Sequence, residues 1–212
     1  MTDRIENRRE ETKSNLRYWF NQASEEQITE GLKWYRNANK YVGSLYDKYD
    51  GYYERTQIAS VISALSPRNK WERNKVDAEN VLEAVKNYYS EPLGGNLGEL
   101  INSVKVCTFN ANKVKAFNIA RGDWVTWDTS PKTYAFSRNV GLLDWDYVTV
   151  DVWHIRACNT KSHEPVNVIT KVSTNRYEEL SDITKEVAEE IGLKGYEFQA
   201  VVWVTIRNFW TQ

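Results

Sequence analysis

Cysteine is scarce in this sequence: the 212 residues include two, Cys107 and Cys158. That is too few for a disulfide framework or for the four thiolates of an iron-sulfur cluster, so both are expected to be reduced, buried and structural. Histidine is equally rare, and no Cys or carboxylate spacing turns His154 and His163 into a zinc site. We therefore expect neither metal nor cofactor. Gly (10) and Pro (4) are few, and with 41% hydrophobic and 27% charged residues this excludes a collagen-like or disordered chain. Long apolar runs are missing too. Val201 to Val204 falls far short of the ~20 residues of a membrane span, and the N-terminus is charged from Asp3 onward. The expectation is a cytoplasmic protein with no signal peptide and no membrane contact. An excess of one charge is also absent, with 28 basic against 29 acidic residues, so any nucleic-acid binding must come from a local patch. Aromatic residues are what the chain has in plenty. Its nine Trp and 13 Tyr are core filler for the most part, and flat surfaces for stacking otherwise.

The length suits one compact domain with an appended helical segment, as a monomer. Residues 1–55 read as that segment: Leu16, Trp19 and Phe20, then Ile28, Leu32 and Tyr35, mark two peripheral helices. Gly43 looks like a helix end, and Tyr46 to Tyr53 like an aromatic connector. From residue 56 to 212 the helical period is clean. Ile58, Val61, Ile62 and Leu65 define a buried helix that Ser66-Pro67 stops, because a residue before proline disfavours the helical well. Ala78, Val81, Leu82, Val85 and Tyr89 draw a second stripe ended by Gly94-Gly95, and Leu97, Leu100, Ile101 and Val104 a third. Asn110 is expected to cap a fourth helix that carries Val114 and Phe117 inward and ends near Gly122.

Ser130-Pro131 is a stronger start signal, for a helix running to about Val140. Tyr147 to Val150 approaches Asp151, which is placed to cap a helix from Val152 to Cys158. Two more helices follow, one through Tyr177, Leu180, Val187 and Ile191 and one through Tyr196, Gln199, Ala200, Trp203 and Arg207. Strand signals are weak and no repeat is present. The predicted class is all-α.

Candidate chemistry gathers at two helix starts. Lys132 falls at about the second position of its helix, where unpaired amides and the macrodipole make a poor place for a cation. Such a field favours the neutral amine of a nucleophile or Schiff-base former; the plain alternative is an exposed lysine whose stem covers apolar surface. Asp151, as a cap, is either only a cap or a carboxylate kept ionised to stabilise a developing positive charge. His154 reads as a hydrogen-bonded core residue. Two basic stretches, Arg68 to Lys75 and Lys113, Lys115 and Arg121, begin beside helix N-termini, where amides and cations can jointly hold phosphate.

Taken together, the segments resemble the helix-hairpin-helix DNA glycosylase superfamily that includes endonuclease III. Ile58 to Lys70 with Asn74, Ala78 and Leu82 looks like that family's first core helix. Thr108-Phe-Asn-Ala-Asn-Lys113 with Lys115-Ala116 and Ile119 is similar to its asparagine, lysine, alanine pattern. Lys132-Thr133 with Ala135 matches its lysine-threonine-alanine helix start, and Val148-Thr-Val-Asp151 with His154 and Arg156 its valine-aspartate, histidine and arginine signature. The likeness covers roughly residues 57 to 210. It implies a cleft between helical subdomains, a DNA partner carrying a damaged or modified base, Asp151 as catalytic aspartate, and Lys132 as the lysine that attacks C1′. Ser66, Arg68, Asn69, Lys70, Lys113, Lys115, Ser130, Thr133 and Trp153 are the implied DNA- and base-binding residues, with the target base extruded into a pocket. Residues 1–55 either wrap the core or reach DNA through Arg8, Arg9 and Lys13.

One departure stands out. The family's glycine-rich hairpin turn, whose amides hold a phosphate, is replaced here by Trp127-Asp-Thr-Ser-Pro131, with no glycine after Gly122. Two other readings therefore stand beside a glycosylase with or without lyase activity. One is an enzyme of the same fold, as proposed for bacterial viruses, that attaches an amine or amino acid to activated hydroxymethyl-pyrimidines and would work in a host cytoplasm. The other is a non-catalytic nucleic-acid-binding module.

Overall fold

A computed structural model describes residues 2–90 and 96–211. It is all-helical, with no strand among the described residues: α1 (Thr2–Asn21), α2 (Glu25–Lys48), α3 (Arg55–Leu65), α4 (Trp71–Ser90), α5 (Leu97–Ser103), α6 (Asn110–Ala120), α7 (Pro131–Leu142), α8 (Val152–Asn159), α9 (Thr174–Glu190) and α10 (Gly195–Trp210). No helix is long and apolar enough to cross a membrane among these residues. The expected Gly94-Gly95 helix end lies outside them.

The chain forms two compact units. A terminal unit joins Met1–Ala38 to Leu143–Gln212, and a middle unit is the continuous stretch Asn39–Leu142. The expected boundary after residue 55 coincides with neither limit, because α2 passes from one unit into the other without a break. Gly43 sits inside α2 instead of ending it, and an added Cβ there would lie 3.0 Å from the Arg55 guanidinium. The helix starts on a reciprocal capping box: Ser24 Oγ accepts from the Gln27 amide at 3.2 Å and Gln27 Oε1 from the Ser24 amide at 2.9 Å.

In the terminal unit α10 is the central element. Its run Val201-Val-Trp-Val-Thr-Ile206 is apolar on nearly every side, and α1, α8 and α9 pack around it. Of the predicted stripe, Tyr196, Gln199 and Ala200 are buried, but Trp203 is half-buried and Arg207 is exposed with its guanidinium 4.8 Å over the Trp203 ring, while Val201, Val202 and Ile206 outside the stripe are buried too. Nor is α1 peripheral, since Leu16 and Trp19 are fully buried and the Trp19 indole donates to the Thr160 carbonyl at 2.7 Å. Truncating either Trp19 or Phe198 would cost about 3–5 kcal/mol by the usual penalty for an emptied core position.

In the middle unit α3 is central, and α4, α6 and α7 pack on it. Hydrogen bonds fix their directions. Ser63 Oγ, near the end of α3, donates to the Thr133 carbonyl near the start of α7 at 2.8 Å, while Gln57 at the start of α3 donates to Ile119 and Ala120 carbonyls at the end of α6. Asn74 in the first turns of α4 donates to the Ile62 carbonyl at 3.0 Å. All three neighbours thus run opposite to α3, and their N-termini gather at its C-terminal end. Gly141 permits the close crossing of α7 and α3, because a Cβ there would sit 2.9 Å from that of Ala59. The predicted stripe of α5, Leu97, Leu100, Ile101 and Val104, is half-buried, with none of its residues fully covered.

Candidate nucleic-acid interface of the middle unit

The turn after α3 is strained and braced. Arg68 takes a left-handed backbone, φ 57°, which a bulky residue adopts only where its surroundings impose it. The imposing group is Asp77, a fully buried carboxylate of α4. It accepts from Asn69 Nδ2 at 2.9 Å, from Arg73 Nε at 2.7 Å and from the Cys107 amide at 2.7 Å, so one side chain ties the 66–70 turn to the loop before α6. Thr108 Oγ1 donates to the Pro67 carbonyl at 2.9 Å and closes the same junction. Ser66 bonds only within its own turn, to the Ser63 carbonyl. Asn69 Oδ1 is buried without a hydrogen-bond partner, an acceptor that a ligand's donor would satisfy.

Arg68 lies with its guanidinium 4.9 Å from the ring centre of Phe109, which is 52% exposed at the start of α6. That phenylalanine, and not Asn110, is the N-cap, and it provides no side-chain cap. The first amides of α6 are consequently left with less help than the sequence implied. Lys113 is only 9% exposed and heads the stripe Lys113, Ala116, Phe117, Ala120 that α6 turns inward. Lys115 is half-buried and donates from Nζ to Ser130 Oγ at 2.6 Å, linking α6 to the residue before α7; burial lowers its pKa. Lys132 and Thr133 follow in the first turn of α7, both half-buried, and Lys70 is exposed in the turn. Arg68, Lys70, Lys113, Lys115 and Lys132 make no ion pair among the described residues. Ser66, Arg68, Asn69, Lys70, Lys113, Lys115, Ser130, Lys132 and Thr133 thus share one end of the middle unit.

Asp151 and Trp153 belong to the terminal unit. As expected, Asp151 is the N-cap of α8 and accepts from the His154 amide at 2.8 Å. The extended segment ahead of it is clamped by buried Tyr177, whose hydroxyl donates to the Val148 carbonyl at 3.1 Å and accepts from the Val150 amide at 3.0 Å. Sequence reasoning missed this clamp, since nothing in a helix stripe says that one member reaches sideways to a distant backbone. Trp153 carries the Arg156 guanidinium 4.6 Å from its ring centre and meets Trp210 edge-on, so part of the expected stacking surface is covered by the chain itself.

His154 is the core residue foreseen. It is fully buried, burial lowers its pKa to about 3, and Nε2 lies 2.8 Å from Thr184 Oγ1. Because that hydroxyl already donates to the Leu180 carbonyl, Nε2 carries the proton and Nδ1 is a buried acceptor without a partner. Among the described residues no group of His, Cys, Asp and Glu has the makings of a metal site. Cys158 is buried, its thiol pushed up to about 12, whereas Cys107 is exposed, contrary to expectation, because its loop is held by backbone bonding to Asp77 and not by burial of the thiol.

Arg8, Arg9 and Lys13 are paired with carboxylates of α9: Arg8 with Glu179 at 2.8 Å, Arg9 with Glu186, and Lys13 with Glu186 at 3.1 Å. The cavities of the middle unit flank Trp124, which is 76% exposed in the α6–α7 connector. One, about 210 Å³, is lined by Glu54, Gln57, Tyr134 and Arg138 among others; the second, about 260 Å³, includes Lys115. Neither is lined by Lys132. A tryptophan standing between Gly122-Asp123 and Thr126 is a polar-turn signal that the sequence reading passed over.

The match to known families covers almost the whole chain. Residues 1–209 fit the family of unknown function DUF7178, and the chain belongs to it. No curated protein and no solved structure matches it.

Proposed function

We propose that this chain is a DNA-acting enzyme of the helix-hairpin-helix glycosylase kind, which holds the phosphate backbone with the crowded end of its middle unit. The observation that carries this reading is the meeting of the N-termini of α4, α6 and α7 with Arg68, Lys70, Lys113, Lys115 and Lys132, none of which forms an ion pair among the described residues. Amide dipoles and uncompensated cations at one place favour a polyanion, and the exposed Phe109 beside Arg68 offers a face for a base. The division into two helical units agrees with the subdomains that the resemblance implies. In the reaction, the Lys132 amine adds to C1′ while the base leaves with the electrons of the glycosidic bond and is protonated. The resemblance gives the role of catalytic aspartate to Asp151, which is held as an acceptor by an α8 amide in the terminal unit.

One feature favours a second reading, base modification in place of base removal. The connector before Lys132 closes through side chains, Thr126 Oγ1 to Thr129 Oγ1 at 2.8 Å and Lys115 to Ser130, where the family uses glycine amides to grip duplex phosphate. Borohydride trapping on DNA with varied modified bases tests both, with mass detection of released bases and added groups. Glycosylase action gives a covalent adduct lost in Lys132→Ala, and base release impaired in Asp151→Asn. A mass gain on the DNA without base release supports the modifying enzyme. Salt-sensitive binding that survives Asp151→Asn, with no chemistry on any substrate, leaves only a binding module.

A further inference from the structure

Lys115 combines features that a plain DNA-contacting lysine does not need. It lines the 260 Å³ cavity together with Ala111, Val114, Asn118, Ile119, Asp123, Trp124 and Val125, a surround that is mostly apolar. Its one polar partner is the hydroxyl of Ser130, 2.6 Å away, at the positive end of α7. Asp123 lines the same space without forming an ion pair with it among the described residues. Burial lowers the Lys115 pKa, and the α7 terminus acts in the same direction, since both penalise the ammonium form.

We propose that Lys115 is a reactive amine that forms an imine with a short hydroxyaldehyde seated against Trp124. The cavity is smaller than the ~300 Å³ at which pockets for drug-sized ligands begin, so the ligand has few heavy atoms. Asp123 accepts from its hydroxyl groups and the indole covers its carbon face. In the reaction the Nζ lone pair adds to the carbonyl carbon and the carbonyl π electrons move to oxygen. That oxygen takes a proton passed from nitrogen through the Ser130 hydroxyl, giving a carbinolamine. Loss of the second amine proton with the hydroxyl releases one water and leaves the imine.

This inference goes beyond the DNA reading and is tested without DNA. The full-length protein is exposed briefly to glyceraldehyde and sodium cyanoborohydride near neutral pH, and labelled lysines are mapped by peptide mass spectrometry. Lys115 is labelled ahead of exposed lysines such as Lys105 and Lys161. The fast adduct is lost in Lys115→Arg, weakened in Trp124→Ala and kept in Lys105→Ala. Equal labelling of Lys115 and the exposed lysines of the wild-type chain overturns the proposal, and that comparison needs no variant to fold. Trapping of DNA at Lys132 together with an inert Lys115 would sink this proposal alone; the reverse pattern would sink the glycosylase reading alone.

Discussion

The arginines at the helix seams of the terminal unit and the cations at the crowded end of the middle unit have different fates. In the terminal unit, Arg8, Arg9, Arg17, Arg36 and Arg176 all face carboxylates, from Arg17–Glu190 at 2.7 Å to Arg36–Glu197 at 2.8 Å, and they spend their charge on joining α1, α2, α9 and α10. At the crowded end of the middle unit, Arg68, Lys70, Lys113, Lys115 and Lys132 have no such partners among the described residues, and the buried carboxylate of Asp77 is taken by Arg73, Asn69 and a backbone amide. A nearly neutral chain can therefore still own a positive patch, because net charge says nothing about which charges are already paired.

The strongest way to break this contrast is to remove the brace beneath the patch. Asp77→Ala leaves the Cys107 amide, Asn69 and the half-exposed Arg73 without their acceptor, which should cost about 2–3 kcal/mol in urea unfolding and release the 66–70 turn. A loss under about 1 kcal/mol would show that Asp77 does not hold the junction.

Acid should act on the terminal unit through His154. Its folded pKa is depressed, so the unfolded chain takes up a proton below about 6.5 that the native state refuses. Stability is full above that pH and falls by up to about 1.4 kcal/mol per unit as pH drops toward 3. Thermal melts of wild type and His154→Gln from pH 7 to 4 check the slope; parallel curves would mean the imidazole is not the source.

Charge removal gives smaller and more selective effects. Each of Lys70→Gln and Arg68→Gln should flatten the salt dependence of DNA binding by about one counterion, with Arg8→Gln leaving it unchanged. If Arg8→Gln flattened it equally, paired and unpaired cations would not differ in function. The smallest effect belongs to Arg17→Gln. The Arg17–Glu190 pair is 41% and 43% exposed, so solvent screening limits its loss to within about 1 kcal/mol in the same unfolding assay.

Short-range features were the readable ones. The stop of α3 at Ser66-Pro67, the start of α7 at Pro131 and the Asp151 cap fall where the spacing put them, although Ser66 keeps a helical backbone (φ −68°, ψ −28°) and the chain turns away only at Arg68, whose φ is 57°. Misreadings came where distant packing overrides local pattern. Gly43 continues a helix because its neighbour across the turn is Arg55, Cys107 is exposed because Asp77 holds its amide, and α10 buries several faces because other helices surround it. The interface was half legible. Its lysines could be listed, but Trp124, Phe109 and the difference between Lys115 and Lys132 emerged only with the cavities and contacts around them.

Helix type, helix limits and the all-α class follow from periodicity and capping, because those forces act within a few residues along the chain. The grouping of residues 1–38 with 143–212, the burial of Lys113 and the pairing of Arg8 with Glu179 join groups far apart in the sequence. Desolvation and ion pairing depend on what surrounds a side chain in space, so folding decides which of its many cations remain free to meet a phosphate.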